Sequence, residues 1–234
     1  GVMAHDPLQH VTPNLIMNST LMEESYRAGV ERFFFVSSAT TYPPADYPIK
    51  EEEVYDGEPY KTYFGVGWMK RYTEILGQFY QRNNMMKIAT VRPANIYGIQ
   101  GDFTDETGHV LPALIRRALE KQSPYVVWGN PDVVRDFTHS VDMARACLDV
   151  VEHYAVCDPI NIASGKLVTI GESVDLILKC AGHDVEPQYD ESKPVTIQYR
   201  ALDTTKAKEV IGYEPTISFE DGIQETVNWI RENM

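Results

Sequence analysis

Two stretches of this chain carry residue types that could exchange a proton with a carbon-bound oxygen. Phe33-Phe-Phe-Val-Ser-Ser-Ala-Thr-Thr-Tyr-Pro43 is an apolar run that ends in hydroxyl residues and a tyrosine. Tyr63-Phe-Gly-Val-Gly-Trp-Met-Lys-Arg-Tyr-Thr-Glu74 places Lys70 four residues after Val66, and on a helix positions i and i+4 share a face. A tyrosine one turn before a lysine makes a proton-exchange pair. The phenol alone, with an unperturbed pKa of about 10, is a poor base near neutrality, and the adjacent cation favours the phenolate. Here the tyrosine seat holds a valine, which exchanges no proton. Tyr63 lies one turn earlier on the same face if the helix extends that far, and Gly65 and Gly67 flank Val66 with backbone freedom for a shift.

These residues need a frame. From Asn14 to Ala28 apolar residues recur with helical spacing, and Gly29 ends the pattern as a cap would. Arg32 to Ser37 is a continuous apolar run, the mark of a strand buried on both faces. The order repeats with a helix over about Thr62 to Asn83 and a buried strand over Met86 to Val91. Helix and strand alternating through short connections predict an α/β doubly wound parallel sheet. Beyond Gly98 the pattern predicts helices over Val110–Glu120, Val141–Tyr154, Asp203–Ile211 and Phe219–Glu232, with short strands at Pro124–Gly129 and Pro159–Ile162. Thr169 and Glu172 have capping-box spacing for a further helix. The acidic run Glu51-Glu-Glu53 reads as a solvated loop.

The 234 residues carry a net charge of −13, which argues against a general nucleic-acid or lipid-headgroup surface, since those need basic patches. A small anionic ligand would need local arginines. No run approaches the roughly 18 apolar residues of a membrane span. Cys147, Cys157 and Cys180 are too few and too irregular for a disulfide framework or a thiolate zinc site, so structural thiols in a reducing cytoplasm are expected, with no metal. A dinucleotide-binding domain normally opens with a strand, a glycine-rich turn and a helix. The first half of this sequence shows no such cradle.

Ser37-Ser-Ala-Thr-Thr-Tyr42, Lys70, Arg92-Pro-Ala-Asn-Ile-Tyr-Gly98 and Arg135-Asp-Phe-Thr-His139 together resemble the extended short-chain dehydrogenase/reductase family, the nucleotide-sugar epimerases, dehydratases and reductases. Within it, Gly108-His-Val-Leu-Pro-Ala-Leu-Ile-Arg-Arg117, Val126-Val-Trp-Gly129 and Arg135-Asp-Phe are similar to the GDP-fucose synthase branch. The resemblance implies a Rossmann-like sheet lacking its N-terminal part over residues 1–98. It also implies a smaller α/β substrate domain over 99–234, some of whose segments return to the first. The cofactor of the complete protein would be NAD or NADP, and the chain as it stands is expected to bind it weakly. A homodimer through a four-helix bundle and a nucleotide-diphosphate sugar as substrate are also implied.

The same resemblance assigns residues. Lys70 falls on the catalytic lysine, Val66 on the catalytic tyrosine, and Ser38 on the serine that hydrogen-bonds the reacting oxygen. Tyr63 is the candidate replacement base. Thr40 and His109 fall on an epimerising acid/base pair in which the branch has a cysteine at the Thr40 position. A threonine hydroxyl is too weak for that task, so His109 either hydrogen-bonds the sugar or caps its helix. Ser37, Lys70, Pro93 and Asn14 fall on the cofactor side, and Asn95, Arg117, Trp128, Arg135 and Arg200 on the substrate side. Two readings stand: an NAD(P)-dependent epimerase or reductase of GDP- or UDP-sugars, or a pseudoenzyme that binds nucleotide sugar or a partner subunit without turnover.

Overall fold

A computed structural model of the protein describes residues 8, 10–99, 101, 110–193 and 197–233. Helix α1 spans Thr12–Arg27, strand β1 Arg32–Val36, helix α2 Phe64–Arg82 and strand β2 Lys87–Pro93. Between β1 and α2 lie three 3-10 turns, Ala39–Thr41, Glu51–Tyr55 and Lys61–Tyr63. There follow β3 (Asn95–Tyr97), α3 (Val110–Leu119), β4 (Tyr125–Trp128), β5 (Val134–His139), α4 (Ser140–His153) and β6 (Ile160–Ile162). The chain continues through β7 (Leu167–Thr169), α5 (Ile170–Ala181), β8 (Pro187–Asp190), β9 (Tyr199–Arg200), α6 (Thr205–Ile211) and α7 (Phe219–Asn233).

The first sheet is parallel, in the order β1-β2-β6, with Phe34 opposite Ala89 and Val91 opposite Ile160. Successive residues of a strand face opposite sides, and β2 uses this fully. Ile88 packs with Met22 and Tyr80 of α1 and α2, whereas Ala89 and Val91 pack with Met143, Ala146 and Val150 of α4 and Ala207 of α6. Helices thus cover both faces, which accounts for the burial of every β2 residue from Ile88 to Pro93. The same alternation turns Thr90 and Arg92 toward α2. A second sheet joins β3 parallel to β5, β7 antiparallel to β5 and β9 parallel to β5, while β4 and β8 form a parallel pair. Leu111, Leu114, Tyr125, Phe137, Ile177 and Ile223 belong to the core that fixes α3, α5 and α7 around these strands.

Two sequence expectations need correction. β1 is not buried on both faces: Phe33 and Phe34 are half-buried and Val36 is 40% exposed, because among the described residues β1 pairs only with β2. Nor is Glu51-Glu-Glu53 simply a solvated loop. It opens a 3-10 turn whose Glu51 is buried and accepts a hydrogen bond from the Asn161 backbone N–H at 2.9 Å. Five short strands had no periodic signal in the sequence: β3, β5, β7, β8 and β9. The predicted capping box does form, with Thr169 and Glu172 exchanging bonds at the start of α5.

Candidate active site

β1 ends where Ser37 N still donates to Val91 O at 2.8 Å, continuing the ladder by one residue. Ser38 is extended, and its Oγ accepts from Thr40 N at 3.1 Å, which tightens the following residues into a 3-10 turn. This turn sets Thr40 over the start of α2. The approach is close: a Cβ on Gly67 would come within 2.6 Å of Thr40 O and 2.5 Å of Pro59 Cβ, and one on Gly65 within 2.8 Å of a Val11 methyl. These glycines are required by contact, not by backbone freedom. Arg71 locks the same junction, donating from Nε to Thr41 O and from Nη2 to Gly57 O, both at 2.8 Å.

A cavity of about 380 Å³ opens at this junction. Ser38, Thr40, Tyr63, Pro93 and Asn95 all line it, together with Tyr97, Leu111 and Phe137 among others. Five of the expected site residues therefore share one space. Tyr63 reaches it from a 3-10 turn that precedes α2, with α2 beginning only at Phe64. Its placement thus differs from the continuous helical face expected from the sequence. Val66, half-buried in the first turn of α2, is not a lining residue. Thr40 Oγ1 is buried without a hydrogen-bond partner among the described residues. Asn95 is oriented by its Nδ2 donating to Asp136 O at 2.9 Å.

Beside the cavity stand two arginines that the strand register brings opposite each other, Arg135 of β5 and Arg200 of β9. Arg135 donates to the carbonyls of Val134 and Ile197. Arg200, 6% exposed, reaches Pro43 O at 3.3 Å and leaves Nη2 buried without a partner among the described residues. No carboxylate among the described residues pairs with either. Burial pulls the Arg200 guanidinium down to about 10, with the Tyr63 phenol opposing that change and Arg135 adding to it. Burial likewise lowers Arg135, again opposed by Tyr63. Tyr63 thus lies within electrostatic reach of both cations. Charges held out of water without counterions are costly, and an arriving anion would relieve that cost.

Among the described residues, the other expected ones do not line the cavity. Lys70 Nζ donates to Val36 O at 2.7 Å and sits 4.9 Å from the Phe35 ring centroid. Burial lowers its pKa, and Glu74 opposes the change. Ser37 donates its Oγ hydrogen to Glu74. Arg117 donates to Ala113 O and Val126 O. Trp128 is 63% exposed, with Lys193 Nζ 5.5 Å above its ring. Asn14 is half-buried on α1. His109 falls outside the described residues.

Beneath the site runs a buried polar network that sequence reasoning did not find. Glu74 pairs bidentately with Arg92, Nη2 to Oε2 at 2.7 Å and Nε to Oε1 at 3.0 Å. Burial works against the Arg92 charge, yet Glu74 holds its pKa above the usual value. Arg92 Nη1 donates to Tyr42 OH and Glu51 O, and Tyr42 OH donates to Asn161 Oδ1 at 2.6 Å. The one signal in the sequence was Glu74 standing four residues after Lys70.

Comparison with known proteins places the chain in a family. The profile of the "NAD dependent epimerase/dehydratase family" matches residues 2–163. The GDP-L-fucose synthase of Sinorhizobium fredii is 31% identical over 232 residues, covering 95% of this chain and 73% of that protein. The crystal structure of a GDP-L-fucose synthetase from Naegleria fowleri bound to NADP superposes with a TM-score of 0.86 at 27% identity, covering 94% of this chain and 72% of that one. A UDP-glucose 4-epimerase from Thermotoga maritima, solved with UDP-glucose, gives a TM-score of 0.84 at 29% identity, with 98% and 72% covered. The chain belongs to the NAD dependent epimerase/dehydratase family, as an extended short-chain dehydrogenase/reductase similar to the GDP-L-fucose synthases.

Proposed function

We propose that this protein is a nucleotide-sugar epimerase or reductase with a preference for GDP-sugars, acting by hydride exchange at a sugar carbon, with Tyr63 as its proton-exchanging group. The observation that carries this reading is the placement of Tyr63: it lines the cavity of Ser38 and Thr40 and couples to the uncompensated Arg135–Arg200 pair.

The residues fit a nicotinamide nucleotide at one end of the cavity, where Thr40 Oγ1 is buried and unpartnered next to Ser38 and Pro93. Bound there, NAD or NADP would supply or accept the hydride. Ser37, Lys70, Pro93 and Asn14 form the cofactor side. Ser38 donates its hydroxyl hydrogen to the reacting sugar oxygen, and the Tyr63 phenol gives or takes the proton that accompanies the hydride. Lys70 contributes positive charge from the end of β1. Asn95 orients the sugar, and His109 hydrogen-bonds it. Arg135 and Arg200 hold the diphosphate through charge-assisted bonds, while Arg117 and Trp128 serve the ribose and base. In this reading residues 1–98 belong to the cofactor domain, and β6 returns to it from the substrate half.

A dimer belongs to the same proposal. Phe64, Tyr72, Ile75 and Phe79 leave an exposed apolar stripe along α2, continued by Ile16 and Leu21 on α1. Apolar area of that kind on adjoining helices fits a second copy packed as a four-helix bundle.

Turnover of GDP-keto-sugars, followed by NADPH oxidation, tests the assignment. Tyr63→Phe should abolish turnover with nucleotide-sugar affinity retained, and Val66→Tyr should not raise it. Full activity in Tyr63→Phe would remove Tyr63 from the chemistry, and a gain in Val66→Tyr would identify the valine as a lesion.

A further inference from the structure

Two side chains one turn apart on α2 grip successive residues at the carboxyl end of β1. Lys70 holds Val36 O, and Glu74 accepts the Ser37 hydroxyl. The next residue is Ser38, whose own hydroxyl shapes the turn that carries Thr40. Glu74 is itself held from the other side, since both its oxygens are engaged by Arg92 of β2. Arg92 directly precedes Pro93, and Pro93 and Asn95 line the cavity. A single carboxylate, with its side chain 3% exposed, therefore ties together the helix of Lys70, the strand end of Ser38 and the strand end of Pro93. Packing alone does not call for an ion pair at that depth, because apolar side chains of similar volume are commonly as stable.

We infer that Glu74 is a positioning residue of this site, fixing the register of α2 against the end of β1 so that the Lys70 ammonium and the Ser38 hydroxyl keep their relative places. The inference rests on the catalytic reading of Lys70 and Ser38. It has an electrostatic consequence as well. Burial opposes the Lys70 charge, and Glu74 is the charged group that counters this. The other polar and charged groups packed near Lys70 are turned elsewhere. Arg71 of α2 points to Thr41 O and Gly57 O, Arg92 of β2 to Glu74 and Tyr42, and Glu51 to Asn161. From β1 only the Val36 carbonyl and the Phe35 ring meet the ammonium.

The test uses the full chain and reads Lys70 directly. Acetic anhydride modifies only neutral amines, so the pH dependence of Lys70 acetylation, followed by mass spectrometry with exposed Lys208 as internal reference, gives the titration of Lys70 with no need for turnover. In Glu74→Gln the Lys70 midpoint should move to lower pH while Lys208 stays in place. Glu74→Gln leaves Arg92 buried and unpaired, so the double variant Glu74→Gln/Arg92→Gln, which removes both charges, is run beside it and should show the same downward movement. An unchanged midpoint in either folded variant overturns the inference. Ser37→Ala keeps the ion pair and cuts the grip on β1, and because Ser37 also stands on the proposed cofactor side the variant is assayed at saturating NADPH, with KM read for the nucleotide sugar. It should lower kcat by roughly tenfold or more at unchanged KM, the signature of misplaced groups, and a kcat equal to that of the parent protein would overturn the positioning role. A parent protein that turns over no nucleotide sugar even at NADPH concentrations high enough to offset the weak cofactor binding expected of this chain would remove the catalytic reading, whereas the acetylation arms still decide whether Glu74 controls Lys70.

Discussion

Arg200→Met should make the protein more stable and its substrate binding worse. Lowering the Arg200 pKa to about 10 by burial makes the charged form about 3 kcal/mol less favourable than in water. Against this the side chain makes, among the described residues, one loose bond to Pro43 O at 3.3 Å, worth about 1 kcal/mol, together with stem packing that methionine largely keeps. The difference predicts that the ligand-free variant gains about 1 to 2 kcal/mol, in line with other exchanges of buried ions for apolar residues. Affinity should move the other way. Losing a charge-assisted bond to a diphosphate costs about 1.5 to 3 kcal/mol, roughly 10- to 150-fold in Kd. Urea unfolding with and without a GDP-sugar measures both effects, because ligand stabilises the folded state according to its Kd. Calorimetry with GDP- and UDP-sugars, extended to Arg135→Ala, gives the affinities directly. A variant less stable than the parent without ligand, yet equal in affinity, would make Arg200 a structural residue bound to Pro43 and refute the diphosphate assignment.

Glu51 offers a pH test. Burial raises its pKa in the folded state, with the Asn161 N–H bond only partly opposing this. A carboxylate with a raised folded pKa contributes no penalty below its unfolded pKa and destabilises as pH rises through the folded one. Glu51→Gln, which can still accept from Asn161 N, should therefore match the parent in acid and exceed it in stability at neutral pH. A difference independent of pH in parallel denaturation curves would refute this account. For the dimer, Tyr72→Glu places a charge amid the apolar stripe of α1 and α2 and should convert a sedimenting dimer to a folded monomer. A parent chain that is monomeric with cooperative unfolding would count against that interface.

The sequence disclosed what repeats locally and concealed what depends on topology. Long helices were legible because apolar spacing reports burial over ten or more residues, and β2 because Ile88, Ala89 and Val91 fall close together between turn residues. β3, β7 and β9, with two or three residues each, are too short to show a period, and only their pairing with β5 makes them strands. Their consequences are not small. Arg135 and Arg200 are 65 residues apart in the chain and meet because β9 pairs with β5 in the register that puts them opposite each other. The same limit explains Glu51, Arg92 and Asn161, each of which reads as an ordinary polar residue until the fold buries it. Tyr63 shows the limit most sharply. Counting back along an ideal helix from Lys70 gives the valine of Val66 the reactive seat and Tyr63 a place one turn beyond it. The chain instead turns through a 3-10 segment before α2 begins, and that tighter winding carries the phenol into the cavity of Ser38 and Thr40. Residue spacing singled out Lys70, Val66 and Tyr63 as candidates, and of these Tyr63 alone lines the cavity, from a 3-10 turn ahead of α2 that spacing does not encode.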